Sequence, residues 1–92
     1  MMAADGKGLR IALTAAEGGL VVEALAELPF KTVFELIGEL NRQANLQGDA
    51  GGHEFALYPA QLALIVKALG ELPYARVHVL MAALHAQVAE QE

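Results

Sequence analysis

Polar and apolar residues follow the same order of periods in both halves of the chain. Leu9 to Thr14 alternates, with Ile11 and Leu13 on one side and Arg10 on the other. From Ala15 the apolar spacing opens to three and four residues, through Leu20, Val21, Ala24, Leu25 and Leu28. After Pro29 a second stripe repeats that spacing through Val33, Leu36, Ile37, Leu40 and Ala44. Alternation lines one face of a strand, and a three-four spacing lines one face of a helix, so the first half predicts strand, helix, helix. The second half does the same. Phe55 and Leu57 oppose Glu54, then come Leu64, Ile65, Ala68, Leu69 and Leu72, and after Pro73 come Val77, Leu80, Met81, Leu84 and Val88.

The correspondence is an internal duplication. Residues 8–48 align with 52–92 at a constant offset of 44 without a gap, and 16 of the 41 columns are identical, mostly apolar but including Glu27/Glu71, Pro29/Pro73 and Gln43/Gln87. Chance supplies only a few such matches. The expected organisation is a disordered N-terminus (1–7) followed by one domain, 8–92, built from repeats 8–47 and 52–91. Gln47 to Gly52 reads as the linker between them. The fold class is α+β: a tandem strand–helix–helix repeat in which two short antiparallel strands carry four packed helices, with pseudo-two-fold symmetry. A two-stranded sheet is marginal alone, so either the helices cover it well or a strand edge pairs with another copy.

Local chemistry places the boundaries. Thr14-Ala15-Ala16-Glu17 has capping-box spacing, and Pro59 suits a first helical turn, so both repeats start a helix there. The residue before a proline is pushed out of the α region, which ends these helices at Leu28 and Leu72. The twice-written phrase Glu27-Leu28-Pro29-Phe30 and Glu71-Leu72-Pro73-Tyr74 is therefore a structural corner. Phe30 and Tyr74 are expected to plug the bend, and Glu27 and Glu71 to cap the helix that follows.

At Ala68-Leu69-Gly70-Glu71-Leu72-Pro73-Tyr74, continued by Val77, Leu80, Leu84 and Gln87, the chain resembles short uncharacterised proteins often encoded by phages and prophages. Those look like a single unit with the pattern A-L-x-x-L-P-[YF]-x-x-V. The resemblance covers residues 52–88, and 8–44 more loosely, with Phe30 in place of tyrosine. It implies that units associate in pairs and that this chain is a fused pair, and it brings no activity with it.

Composition narrows the function. The chain has 92 residues, 55% of them apolar but only 5% aromatic, which suits a core of interlocking helices. Six Lys and Arg against eleven Asp and Glu give a net charge of −5, the wrong balance for a nucleic-acid binder. No apolar stretch reads as a membrane span, Met1 to Gly8 does not read as a signal peptide, and cysteine is absent, so a cytoplasmic protein is expected.

Candidate chemistry is sparse. Glu27 and Glu71 are the only acidic pair kept by both repeats, which admits an acid–base or two-carboxylate reading, but their position before a helix favours a structural one. His78 and His85 lie seven apart, too far to share a metal ion unaided, and with His53 they correspond to Leu9, Phe34 and Asn41, so the duplicated framework does not need them. Gly18-Gly19, where the other repeat has Leu62-Ala63, marks either a close backbone approach or a frayed first turn. Serine is absent as well as cysteine. No catalytic, cofactor or metal residues are assigned.

The repeats disagree consistently in one place. Glu35, Gly38, Glu39 and Arg42 become Val79, Ala82, Ala83 and Ala86, so the last helix turns apolar nearly all round. Such a helix is buried on both sides, either inside its own chain or against a partner. Val79, Ala82, Ala83 and Ala86 are therefore the candidate interface of a homo-oligomer, with a dimer favoured. The expected function is a non-enzymatic binding or assembly module, a phage or prophage accessory protein in the light of the resemblance. The alternative is a protein that sequesters a small molecule between subunits through Tyr58, Tyr74, His78 or His85.

Overall fold

The computed structural model describes residues 8–48 and 51–91, so the disorder expected of residues 1–7, and Asp49 and Ala50 of the linker, lie outside the described residues. The order is β1 (Leu9–Thr14), α1 (Ala15–Leu25), α2 (Phe30–Gln47), β2 (Gly52–Leu57), α3 (Pro59–Leu69) and α4 (Tyr74–Gln91). Two antiparallel strands thus carry four helices, as the duplicated pattern requires.

The register shows the symmetry. Ile11 pairs with Phe55, Leu9 with Leu57 and Leu13 with His53. A shift of 44 exchanges Ile11 with Phe55 and turns the Leu9–Leu57 pair into the His53–Leu13 pair, so the pseudo-two-fold axis passes between Ile11 and Phe55. Ile11, Leu13, Phe55 and Leu57 are buried, while Arg10, Ala12, Glu54 and Ala56 face solvent, which is the alternation of the sequence. α1 and α3 pack on each other at the axis, where Ala24 and Ala68 are fully buried and small enough for close approach.

The second helix of each repeat crosses to the other repeat's strand: α2 lies along β2 and α4 along β1. Glutamines fix this arrangement at both sheet edges. Gln43 accepts from the Ala56 N–H (2.8 Å) and donates to its carbonyl (3.0 Å), and Gln47 does the same to Glu54 (2.9 and 2.8 Å). On the opposite edge Gln87 clasps Ala12 (2.7 and 3.0 Å) and Gln91 clasps Arg10 (2.7 and 2.6 Å). A side-chain amide carries one acceptor and two donors and so substitutes for a neighbouring strand. The edges left open by a two-stranded sheet are thus occupied within the chain, and the expectation that an edge might pair with another copy gives way to the helices.

Both first helices start as read. Thr14 accepts from the Glu17 N–H (3.1 Å) and Glu17 accepts from the Thr14 N–H (2.8 Å), completing the capping box, while Gln61 accepts from the Tyr58 N–H (2.8 Å) ahead of Pro59. Their ends differ from expectation. α1 stops at Leu25 and α3 at Leu69, and the chain then tightens: Glu27 and Leu28 donate to Ala24 and Leu25, Glu71 and Leu72 to Ala68 and Leu69, each three residues back.

The corner also needs two corrections. Phe30 and Tyr74 do not plug it; they are 75% and 78% exposed. Leu28 and Leu72, partly buried against the core, fill the bend, and the aromatics begin the next helix pointing outward. There each stacks on the ring one turn later, Phe30 on Phe34 at 5.4 Å and Tyr74 on His78 at 5.0 Å. Nor does Glu27 cap α2. The N-cap is Pro29, with no side-chain cap, and the first turn closes through backbone bonds from Thr32 to Pro29 and from Arg76 to Pro73. Gly18 and Gly19 sit inside α1 with nothing within 4 Å of an added Cβ, so close backbone approach is not their reason.

Candidate functional site

The inner stripe of α4 needs little space on the helix. Val77, Leu80 and Leu84 are buried, with Met81 and Val88 beside them, and they hold the helix against the rest of the core as Val33, Leu36 and Leu40 hold α2. Among the described residues nothing covers the outer face. Val79 is 68% exposed, Ala82 and Ala86 are exposed, and Ala83, nearer the flank, is half-buried. Ala75 and Ala89 extend the exposed strip at both ends, and Tyr74, His78 and His85 border it on one side. Between Ala75 and Ala89 no acidic or basic side chain interrupts it; Glu90, four residues after Ala86, closes its C-terminal end, and Arg76 lies beyond its other border.

The same positions of α2 look different. Lys31, Glu35, Arg42 and Asn45 stand where α4 has Ala75, Val79, Ala86 and Ala89. Arg42 bonds both carboxylate oxygens of Glu39 (3.0 and 2.6 Å), and Gln43 adds a third bond at 2.7 Å. Those bonds, the Arg42 ones first, hold the Glu39 carboxyl down at about 2, well below its usual 4.5. Among the described residues α4 has an ion pair at its foot alone, where Arg76 grips Glu23 of α1 through two bonds of 2.6 and 2.9 Å, lowering the Glu23 pKa and raising that of Arg76. That pair crosses between the repeats, and its symmetric counterparts are Thr32 and Lys67.

The surface cavities follow the same division. A groove of about 660 Å³ between α3 and α4 is lined by Leu9, Pro59, Leu62, Val66, His85 and Val88 among others, and is largely apolar. A smaller hollow of about 320 Å³ at the α3–α4 corner takes in Leu72, Tyr74, His78, Met81 and His85. Beside α2, on a flank that corresponds to neither α3–α4 cavity, lies a polar cavity of about 540 Å³ bordered by Glu35, Glu39, Arg42, Tyr58 and Gln61.

The candidate ligand-contacting side chains are thus divided. Tyr74, His78 and His85 share the corner hollow, and Tyr58 lines the polar cavity beside α2. His53 is engaged locally, its Nε2–H donating to the Gly48 carbonyl at 2.7 Å. Among the described residues no group of three or more His, Asp or Glu side chains could hold a metal ion. Glu27 and Glu71 are exposed and border none of these three cavities. No helix among the described residues is long and apolar enough to cross a membrane.

The residues that reading the sequence for chemistry passed over are the four clasping glutamines. Their signal was present as the identical columns Gln43/Gln87 and Gln47/Gln91, polar pairs four apart on one helical face. No family model, curated protein or solved structure matches the chain.

Proposed function

We propose that the protein is a non-enzymatic binding or assembly module that works as an isologous homodimer, with the outer face of α4 as the contact. The observation that carries this reading is the uncharged, solvent-exposed strip centred on Val79, Ala82 and Ala86, at positions where the sister helix bears Glu35 and Arg42. On a chain of net charge −5, a face without charge is best matched by another uncharged face, and a second copy supplies one without leaving a charge buried and unpaired. The alanines let two helices come close, and Val79 gives the contact its bulk. A cytoplasmic accessory role of the phage or prophage kind is the setting that the corner-motif resemblance favours.

Sedimentation equilibrium at micromolar concentration tests it. A dimer is expected, and Val79→Glu should return it to the 9.7 kDa chain with unfolding stability within about 0.5 kcal/mol of the parent, as for an exposed site. A parent chain that stays monomeric throughout would overturn the reading.

A second reading, sequestration of a small apolar molecule, rests on the groove of about 660 Å³ between α3 and α4 with His85 at its border. Native mass spectrometry of the purified protein is its test: a bound small molecule, lost on Ala63→Trp within the groove, is the expected result.

A further inference from the structure

We propose that the repeat–repeat interface is exchangeable between molecules: two copies of the chain trade repeats about the α2–β2 connection and form a closed dimer in which every glutamine clasp is made between chains. The proposal is independent of the outer face of α4.

The distribution of contacts carries it. The pairing of β1 with β2, the packing of α1 on α3, and the docking of α2 on β2 and of α4 on β1 all cross the boundary between repeats. Inside a repeat, strand and helices are joined chiefly through the first helix. A lone repeat would leave its strand edge and its glutamine pair without partners. It is therefore half of an interface whose natural occupant is another repeat of the same design.

The two junctions of the molecule show that the connecting peptide is dispensable to that interface. At one junction Gln47 clasps Glu54, and residues 48–51 connect α2 to β2. At the other, Gln91 clasps Arg10 with the same pair of bonds, and no peptide joins α4 to β1. The same contacts hold with and without the link. The described ends of the link use glycine backbone, with φ of 80° at Gly48 and 78° at Gly51. Closed monomer and exchanged dimer share every contact outside this connection, so concentration and the connection's length select between them. A flexible link gives the intramolecular form an effective concentration of roughly millimolar, which makes the monomer the favoured state of this interface in dilute solution. Exchange requires opening the sheet and all four clasps, so a dimer once formed persists on dilution.

Two experiments on the whole chain test it. Deleting Gly48–Gly51 in the Val79→Glu chain, which lacks the α4 contact, joins Gln47 directly to Gly52; the expected product is a folded species of twice the chain mass, and a folded monomer would overturn the proposal. If the deletion does not fold, the parent chain decides. Unlabelled and isotope-labelled chains are unfolded together, refolded at millimolar concentration, diluted to micromolar and weighed by native mass spectrometry. A mixed dimer that survives dilution, and that forms equally with Val79→Glu chains, is the expected result. Absence of the mixed dimer, its immediate dissociation, or its loss with Val79→Glu would each overturn the exchange. Those outcomes are distinct from failure of the α4 contact, which Val79→Glu alone reports.

Discussion

α2 and α4 are the same helix on the inside and different helices on the outside. Both are 18 residues long, both follow a leucine–proline corner, both place two glutamines on a strand edge, and both bury three aliphatic side chains at matching positions. Outward, α2 shows charges and an ion pair, and α4 shows valine and alanine. The inner face is constrained twice, by the core and by the clasp, and it has stayed constant. The outer face answers only to what surrounds the molecule. A helix bounded by water alone has no reason to shed its charges, and the proposed contact at α4 rests on that divergence.

The comparison breaks most severely if the inner faces are not equivalent. Leu40 and Leu84, 5% and 2% exposed, hold the same position in the two stripes. Leu40→Ala and Leu84→Ala should each lower the unfolding free energy by about 2–5 kcal/mol, measured by urea denaturation, because each leaves a cavity in the same core. A result near zero for either would show that one helix is held by something other than its stripe.

Next comes the clasp. Gln43→Ala and Gln87→Ala each remove two hydrogen bonds to one edge residue, for a loss of about 1–3 kcal/mol, at the low end where water can reach the freed groups. Amide exchange should quicken at Ala56 in the first variant and at Ala12 in the second, each leaving the opposite edge protected. Simultaneous loss at both edges would mean that the sheet opens as one unit and that the two helices are not separately clasped.

What the sequence made legible divides along the same line. Period and duplication specify the strands, the helices and the core, because burial leaves its mark in every apolar column, and Ile11, Phe55, Leu40 and Leu84 all fall where the pattern puts them. The corners were misread at side-chain scale. Leu28 and Phe30 are both apolar and two residues apart, and composition does not say which turns inward; the proline between them does, by starting a new helix whose first residue looks out. The crossing of α2 and α4 to each other's strands was also hidden, since a repeat in sequence fixes what the units are and not which unit serves which. The glutamine columns held that information, but a polar pair on a helix reads as solvated surface until an unpaired strand edge is placed beside it. For the outer face of α4 the sequence marked the residues, and the structure adds that Val79, Ala82 and Ala86 are exposed among the described residues.

The smallest expected effect concerns the ion pair that α2 has and α4 lacks. The Glu39 carboxyl titrates at about 2 in the folded chain against its usual 4.5, so its contribution to stability is fully present above about 4.5 and is lost as the pH falls towards 2. Glu39→Gln removes that dependence and leaves the part due to Glu23, whose pKa Arg76 also lowers. Because the Glu39–Arg42 pair is three residues apart and reached by solvent, screening keeps its worth small. Urea midpoints of parent and variant should therefore differ slightly at pH 6 and converge near pH 2, and molar salt should erase the difference. Moving the pair to the sister helix, as Ala83→Glu with Ala86→Arg, should give α4 the same shallow pH dependence and prevent the homodimer. If the dimer survives two opposite charges placed at the strip, the contact lies elsewhere, and the difference between the helices is only a difference in how each meets water.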